Sequence, residues 1–336
     1  MTPRPVEALS IAFQSDKHPR DYAELGALVE GYGFGAISVY ADLMFQPPLA
    51  ALLLMAGATK QIRLGPACLN PYLTHPVEIA GQIALLDAAS GGRAYLGLAR
   101  GAWLDSLGIR DEKPLATMRE AVAVVRHLLR GERRAFDGAI FRLGEAHQLL
   151  YPIHRPDVPL LIGTWGAQLA AFAGEVAMEV KVGGSTNPAL VATLRARIAP
   201  GAARAGRDPG EVGIVLGAVT YVDEDGARAR ARARQEVARY LPVVAPLDPT
   251  VAIEPELLAR MDAAVAANDL AAAGVLVPDD LLDRLFRHPR PGYPPDRGDP
   301  RRRGQPRRVR HAHGLTPREG CACWGARLAC VSMKDG

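Results

Sequence analysis

Residues 63–100 read RLGPACLNPYLTHPVEIAGQIALLDAASGGRAYLGLAR. An apolar run, Ile62–Cys68, reads as a strand that breaks at Leu69-Asn70-Pro71-Tyr72. The spacing of Ile79, Ile83 and Leu86 along one face predicts a helix over Val77–Ala89. Ser90-Gly91-Gly92-Arg93 ends it, because Gly can take the left-handed conformation just past a helix end. A second strand, Ala94–Ala99, follows at once. Strand, helix, strand is the building unit of a parallel sheet. Its polar residues collect beyond the strand ends, where parallel α/β folds place their sites.

The same rhythm extends in both directions. Upstream, Leu9–Phe13 and Ala36–Tyr40 read as strands and Asp21–Tyr32 as a helix with Leu25, Leu28 and Val29 in its stripe. A helix from about Pro47 to Ala58 is apolar nearly all round, which predicts burial. Downstream, 103–113 reads as a loop, and Thr117–Arg130 as an amphipathic helix whose Thr117 and Glu120 have capping-box spacing. An insertion at about 132–157 holds a hairpin with Asp137-Gly138 at its turn. Strands at Pro159–Ile162, Val180–Val182 and Val212–Val222 alternate with helices at Ala167–Ala177, Pro188–Ala205 and Gly226–Leu241. Seven such units predict a TIM-type (β/α)8 barrel with insertions, and an eighth would close it. A second, helical insertion is expected at about 248–286, so the barrel domain spans 1–286.

The eighth unit is where the pattern fails. Residues 287–310 hold nine Arg, two Asp and six Pro, a composition that reads as a disordered tail over 287–336 and not as a central strand. The last β/α unit is therefore expected to be missing or disrupted. That segment carries +7 within a chain of formal charge +4, so the remainder is at −3 and offers no basic face for nucleic acid. No run approaches the ~20 apolar residues of a membrane helix, and the first residues lack the apolar core of a signal peptide, so a cytoplasmic enzyme is expected. Cys321, Cys323, His311 and His313 match no common zinc spacing, and no metal is expected.

No nucleophile–base pair and no GxSxG motif is present, which fits chemistry carried by a cofactor. Gly163-Thr164-Trp165-Gly166 at a helix start, and Gly183-Gly184-Ser185 after a strand, suit an anionic group held by backbone N–H donors. Asp42 ends the second strand, either as an acid at the barrel mouth or as a helix cap. His75, before Pro76, reads as a structural loop residue.

Leu64-Gly65-Pro66-Ala67-Cys68-Leu69-Asn70-Pro71-Tyr72, followed by His75-Pro76 and Ser90-Gly91-Gly92-Arg93, resembles the luciferase-like monooxygenase superfamily. Within it the chain is most similar to the branch that uses the deazaflavin coenzyme F-420 and includes methylenetetrahydromethanopterin reductase. The resemblance implies hydride transfer between F-420 and a small organic substrate, with an FMN-dependent monooxygenase, or an inactive barrel damaged at its C-terminus, as the alternatives. It implies a non-prolyl cis peptide at Ala67-Cys68 behind the deazaflavin ring, Asn70 in the cofactor loop or serving turn geometry before Pro71, and Asp42 near the ring. Arg100 and Trp103 would face the acidic cofactor tail or the substrate, and Trp165 would stack or pack. Glycines 163, 166, 183 and 184, with Thr164, would hold the coenzyme tail. A homodimer is implied as well. Two carboxylates of the reductases are absent: Ala12 stands where they carry Glu, and Gly101-Ala102 where they carry Asp, so a different substrate is expected.

The resemblance returns at His313–Gly320 and then stops. Where the family continues with Val-Arg-Leu-Leu-Gly, this chain has Cys321-Ala322-Cys323-Trp324-Gly325, which the same codons give when read one base later. The tail is therefore hypothesised to be out of frame in two pieces, and resequencing the gene tests this: an intact frame matching this tail sinks it.

Overall fold

The computed structural model describes residues 9–102, 104–110, 112–221, 223, 225–285 and 329–334. The N-terminal half is four strand–helix units: β1 (Leu9–Phe13), α1 (Asp21–Gly31), β2 (Ala36–Val39), α2 (Pro48–Ala58), β3 (Arg63–Pro66), α3 (Pro76–Ala89), β4 (Leu96–Ala99) and α4 (Pro114–Leu129). A two-stranded hairpin, β5 (Phe136–Asp137) with β6 (Arg142–Leu143), interrupts the alternation. Then come β7 (Leu160–Gly163), α5 (Ala167–Val176), β8 (Glu179–Gly183), α6 (Ala189–Arg204), β9 (Gly213–Thr220) and α7 (Gly226–Val244). Helices α8 (Pro255–Ala266), α9 (Leu270–Val275) and α10 (Asp279–Leu285) pack on α7 around their own small core of Val237, Leu241, Met261 and Leu282.

The strands run in the order β3-β2-β1-β10-β9-β8-β7-β4, and parallel bridges Leu64↔Ala94 and Leu69↔Leu98 join the two ends. The sheet is thus a closed barrel. Seven staves are parallel. The eighth, β10 (Ala329–Lys334), runs antiparallel to both neighbours, with Ala329 opposite Phe13 and Thr220. The Arg- and Pro-rich segment of the tail, and with it most of the proposed out-of-frame sequence, lies outside the described residues.

Local chemistry explains the elements. Gly91 and Gly92 adopt φ +64 and +84 past the end of α3, as the motif requires. Arg93, next in line, donates to the carbonyls of Ala56, Thr59, Ile62 and Ser90 and to the Thr59 hydroxyl. The Ser-Gly-Gly-Arg motif is therefore a clip that satisfies the C-terminal carbonyls of α2 and the loop into β3. The buried Asp87 of α3 takes a bidentate ion pair from Arg155, which ties the hairpin insertion to the barrel.

Three local expectations change. Helix α4 begins at Pro114, so Thr117 is inside it and bonds back to the Lys113 carbonyl. Glu120 does not close a capping box. It accepts from the amides of Ala139, Ile140 and Phe141 and so caps the hairpin turn instead. The 103–113 loop contains a short 3-10 turn, Leu104–Leu107.

Candidate active site at the barrel mouth

Alternation along each strand divides outside from inside. On β8, Val180 and Val182 join the core packed against the helices, so Glu179 and Lys181 face the barrel interior. Ala36, Tyr95, Leu161 and Val215, with Cys68 against them, form the apolar part of that interior.

The interior has two polar layers. The lower one lies at the strand starts. There Arg63 bonds Glu179 at 3.0 Å, and its guanidinium sits 5.5 Å from the Tyr95 ring centre. The Tyr95 hydroxyl meets Ser38 Oγ at 2.5 Å and also donates to the Ile37 carbonyl. Burial pushes the Tyr95 hydroxyl well above the usual range, against which the Ser38 bond works. Gly65 makes room for this tyrosine: a Cβ there would lie 2.4 Å from the Tyr95 carbonyl oxygen and 2.6 Å from its ring.

The upper layer lies at the carboxyl ends of the strands, the mouth. The Ala67–Cys68 peptide is cis. Cys68 lies against the glycines of the next two staves. A Cβ on Gly97 would meet the Pro66 carbonyl oxygen at 2.1 Å and Cys68 Sγ at 3.4 Å, and one on Gly163 would meet Sγ at 2.9 Å. Burial pushes the Cys68 thiol up to about 11, with the nearby Lys181 charge and a backbone bond from Gly163 pulling the other way. Asp42 comes into this layer just past β2. Burial raises its pKa above the usual carboxylate value, and a hydrogen bond from the buried Gln14 side chain opposes that. Lys181 is 7% exposed, and its Nζ stands 5.6 Å from the ring centre of Tyr40 on the facing wall.

The other expected site residues are placed as follows. Asn70 is buried; its Oδ1 accepts from Tyr72 and Leu73 N–H, which shapes the loop, while its amide side faces Gly101. Gly163 and Thr164 neighbour Lys181 on β8: Gly163 pairs with it in register, and Thr164 N–H donates to its carbonyl. Thr164 Oγ1 accepts from Gly166, which opens α5, and Arg197 holds the Trp165 carbonyl at 2.6 Å. The first-turn amides of α5 have, by helix geometry, no partner inside the helix. Gly183 borders open space, whereas the amides of Gly184 and Ser185 both donate to the Gly217 carbonyl. Arg100 is exposed just after β4, Trp103 lies outside the described residues, and Asp105 is exposed on the 3-10 turn. His75 caps α3 through Nδ1 and packs edge-on against Phe141. Ala12 is buried on β1.

Sequence reasoning missed Gln14, Tyr40 and Lys181. The signal for Lys181 was present: Glu179-Val180-Lys181-Val182 puts two charges at period two in a short strand between helices, a pattern that outside-in burial does not produce. Among the described residues no group of three or more His, Cys, Asp or Glu is placed to hold a metal, and no helix is long and apolar enough to cross a membrane.

Residues 6–291 match the profile of the luciferase-like monooxygenase family. The chain is 33% identical over 267 residues to a 5,10-methylenetetrahydromethanopterin reductase of Methanolobus tindarius, covering 78% of this chain and 80% of that one. It is 26% identical to an F-420-dependent glucose-6-phosphate dehydrogenase of Nakamurella multipartita, over 86% and 91% of the two chains. Its fold superposes on the coenzyme F-420-dependent tetrahydromethanopterin reductase of Methanopyrus kandleri with a TM-score of 0.75 at 27% identity, over 83% of this chain and 85% of the other.

Proposed function

The chain belongs to the luciferase-like monooxygenase family, and we propose from that premise that it is an oxidoreductase moving a hydride between coenzyme F-420 and a small organic substrate. The observation that carries the reading is the low wall at the mouth. Cys68 lies flat across Gly97 and Gly163, no side chain rises from Gly163, and Gly183 leaves open space at the end of β8. A planar tricycle needs such a wall, and side chains at these positions would fill it. The residues present therefore fit the coenzyme.

When bound, F-420 supplies the carbon that takes or gives the hydride, and the protein supplies position, electrostatics and exclusion of water. Ala67, Cys68, Gly97 and Gly163 would back the ring. Asn70 would hold its loop in place, and the first turn of α5, beyond the Gly166 amide that Thr164 already takes, would offer N–H donors to an anionic tail. Thr164, Gly183, Gly184 and Arg100 would border the same opening, and Trp165, which packs against the main core, would flank it. Burial raises the Asp42 pKa above the usual carboxylate value, and this carboxyl at the mouth is the group we assign to exchange a proton with a substrate oxygen or nitrogen. By the family resemblance, Ala12 on β1 would take the place where the reductases carry a carboxylate. Proton handling thus falls to Asp42, which supports a substrate other than a pterin.

The test is a titration of the purified chain with F-420 and with FMN. Tight F-420 binding with weak FMN binding is expected. FMN preference coupled to oxygen uptake would overturn the reading in favour of a monooxygenase, and binding of neither would remove it. Cytoplasmic location and a homodimer complete the proposal. Leu54 on α2 and Leu85 on α3 are both exposed and offer apolar surface to a second copy, which sedimentation tests.

A further inference from the structure

Lys181 is an interior charge for which the barrel supplies no counter-ion among the described residues. The residue is 7% exposed, and its side chain projects from β8 toward the end of β2, four staves away and thus diametrically opposite. Gly163, its register partner on β7, has no side chain to stand in its way. The groups it faces are the Tyr40 ring and Cys68. Among the described residues no oxygen takes a hydrogen bond from its ammonium and no carboxylate lies within ion-pair distance of it. Asp42 is engaged by Gln14. Most of Lys181 is packed away while its ammonium still meets water at the mouth, and a cation held there without a counter-ion is placed to meet an anionic group of a bound molecule.

We propose that Lys181 forms an anion subsite on the floor of the barrel mouth, where its ammonium holds an anionic oxygen of the bound molecule. This rests on the mouth being the site described above, and it adds what the family reading does not give: the molecule seated there presents negative charge toward β8. The oxygen can belong to a carboxylate or phosphate of the substrate, or to the coenzyme ring.

Calorimetric titration of the full chain with inorganic phosphate, with acetate and with F-420 separates these sources. Lys181→Met, Lys181→Arg and the exposed control Lys60→Met are compared with the unsubstituted protein, and thermal unfolding checks that each is folded. If the oxygen is the substrate's, phosphate or acetate binds in a saturable way, Lys181→Met weakens it ten- to a hundredfold, and Lys181→Arg recovers part. If it is the ring's, small anions show no saturation while F-420 affinity falls at least tenfold in Lys181→Met. Either pattern supports the subsite. Anion and coenzyme affinities unchanged in both Lys181 variants, or lowered equally in Lys60→Met, would overturn it. Should Lys181→Met fail to fold, Lys181→Arg with the unsubstituted protein decides: no saturable small-anion binding, with F-420 affinity unmoved by the arginine, rejects the subsite. Failure of the F-420 reading is read separately, as loss of F-420 binding in the unsubstituted protein while the anion arm still reports on Lys181.

Discussion

Glu179 and Lys181 are two residues apart on β8 and face the same barrel interior, yet the fold treats them in opposite ways. Glu179 is met by Arg63 from the far side at 3.0 Å, over a floor of Tyr95, Ser38 and Leu161. Lys181 is met by an aromatic face and a thiol, with no carboxylate at ion-pair distance among the described residues. The lower layer is satisfied by the chain alone, so its job is structural. The upper layer is left incomplete by the chain, and incompleteness at the carboxyl ends of barrel strands is how this architecture makes a site.

The comparison breaks first at the ion pair. Arg63→Met should remove about 3 kcal/mol of stability, the low end for such pairs because the guanidinium side chain keeps 32% of its surface exposed. The double change Arg63→Met with Glu179→Leu should regain most of that, since it strands no buried charge. Urea unfolding of the three proteins measures it; a single variant as stable as the parent would mean the lower layer is not what holds the floor together.

Glycine substitutions come next. Gly65→Ala forces a Cβ against the Tyr95 backbone at 2.4 Å, and backbone cannot swing aside, so a loss of about 2 kcal/mol is expected. Gly163→Ala meets only the Cys68 side chain at 2.9 Å and the Ala99 methyl at 3.3 Å. It should cost about half as much stability but lower F-420 affinity, because the new methyl rises from the wall. The reverse ranking in melting and binding measurements would exchange the roles of the two layers.

How far each layer could be read from sequence follows from the kind of signal it sends. The strand–helix alternation from β1 to α7 is a matter of local period and punctuation, and Leu9–Phe13 and Phe136–Leu143 fall where the residues put them. The eighth stave did not announce itself: Ala329–Lys334 is short, lies beyond a segment rich in Arg and Pro, and enters antiparallel, which no period encodes. Glu120 shows a second limit. Its spacing from Thr117 obeys a local rule, but the amides it serves belong to a hairpin nineteen to twenty-one residues away. Of the site, glycines and loop positions were legible because backbone demands restrict residue type. Tyr40 and Lys181 were not, because their approach depends on barrel closure across four staves, and Gln14 was not, because it meets Asp42 only when β1 and β2 pair.

Outside the barrel, Glu175 gives a charged group that the chain completes fully. Arg119 and Arg204 both bond it, and the Arg119 bond foremost pulls its carboxyl down to about 2. A depressed carboxylate contributes stability that is present above its unfolded value and is lost as pH falls through its folded one. Acid titration of stability should therefore steepen from the ordinary carboxylate range down to about pH 2, and Glu175→Gln should flatten that limb. Asp42 has the opposite sign. Its raised pKa gives a contribution that is full below the unfolded value and declines as pH rises through the raised one, and Asp42→Asn should remove that decline. Matching slopes in the two variants would contradict both assignments.

The finest test asks whether the upper layer is one electrostatic unit or several neighbours. Burial dominates both Cys68 and Asp42, but Lys181 acts on the thiol and is not among the groups that move the acid. Lys181→Met should accordingly push the Cys68 thiol above its value of about 11 and slow its alkylation by iodoacetamide a few-fold at mildly alkaline pH, read by mass spectrometry of the peptide that carries it. The same variant should leave the Asp42-dependent pH limb in place. If the limb moves together with the thiol, Lys181 and Asp42 are a coupled pair, the ammonium already has its counter-ion inside the chain, and no ligand anion is needed to complete it.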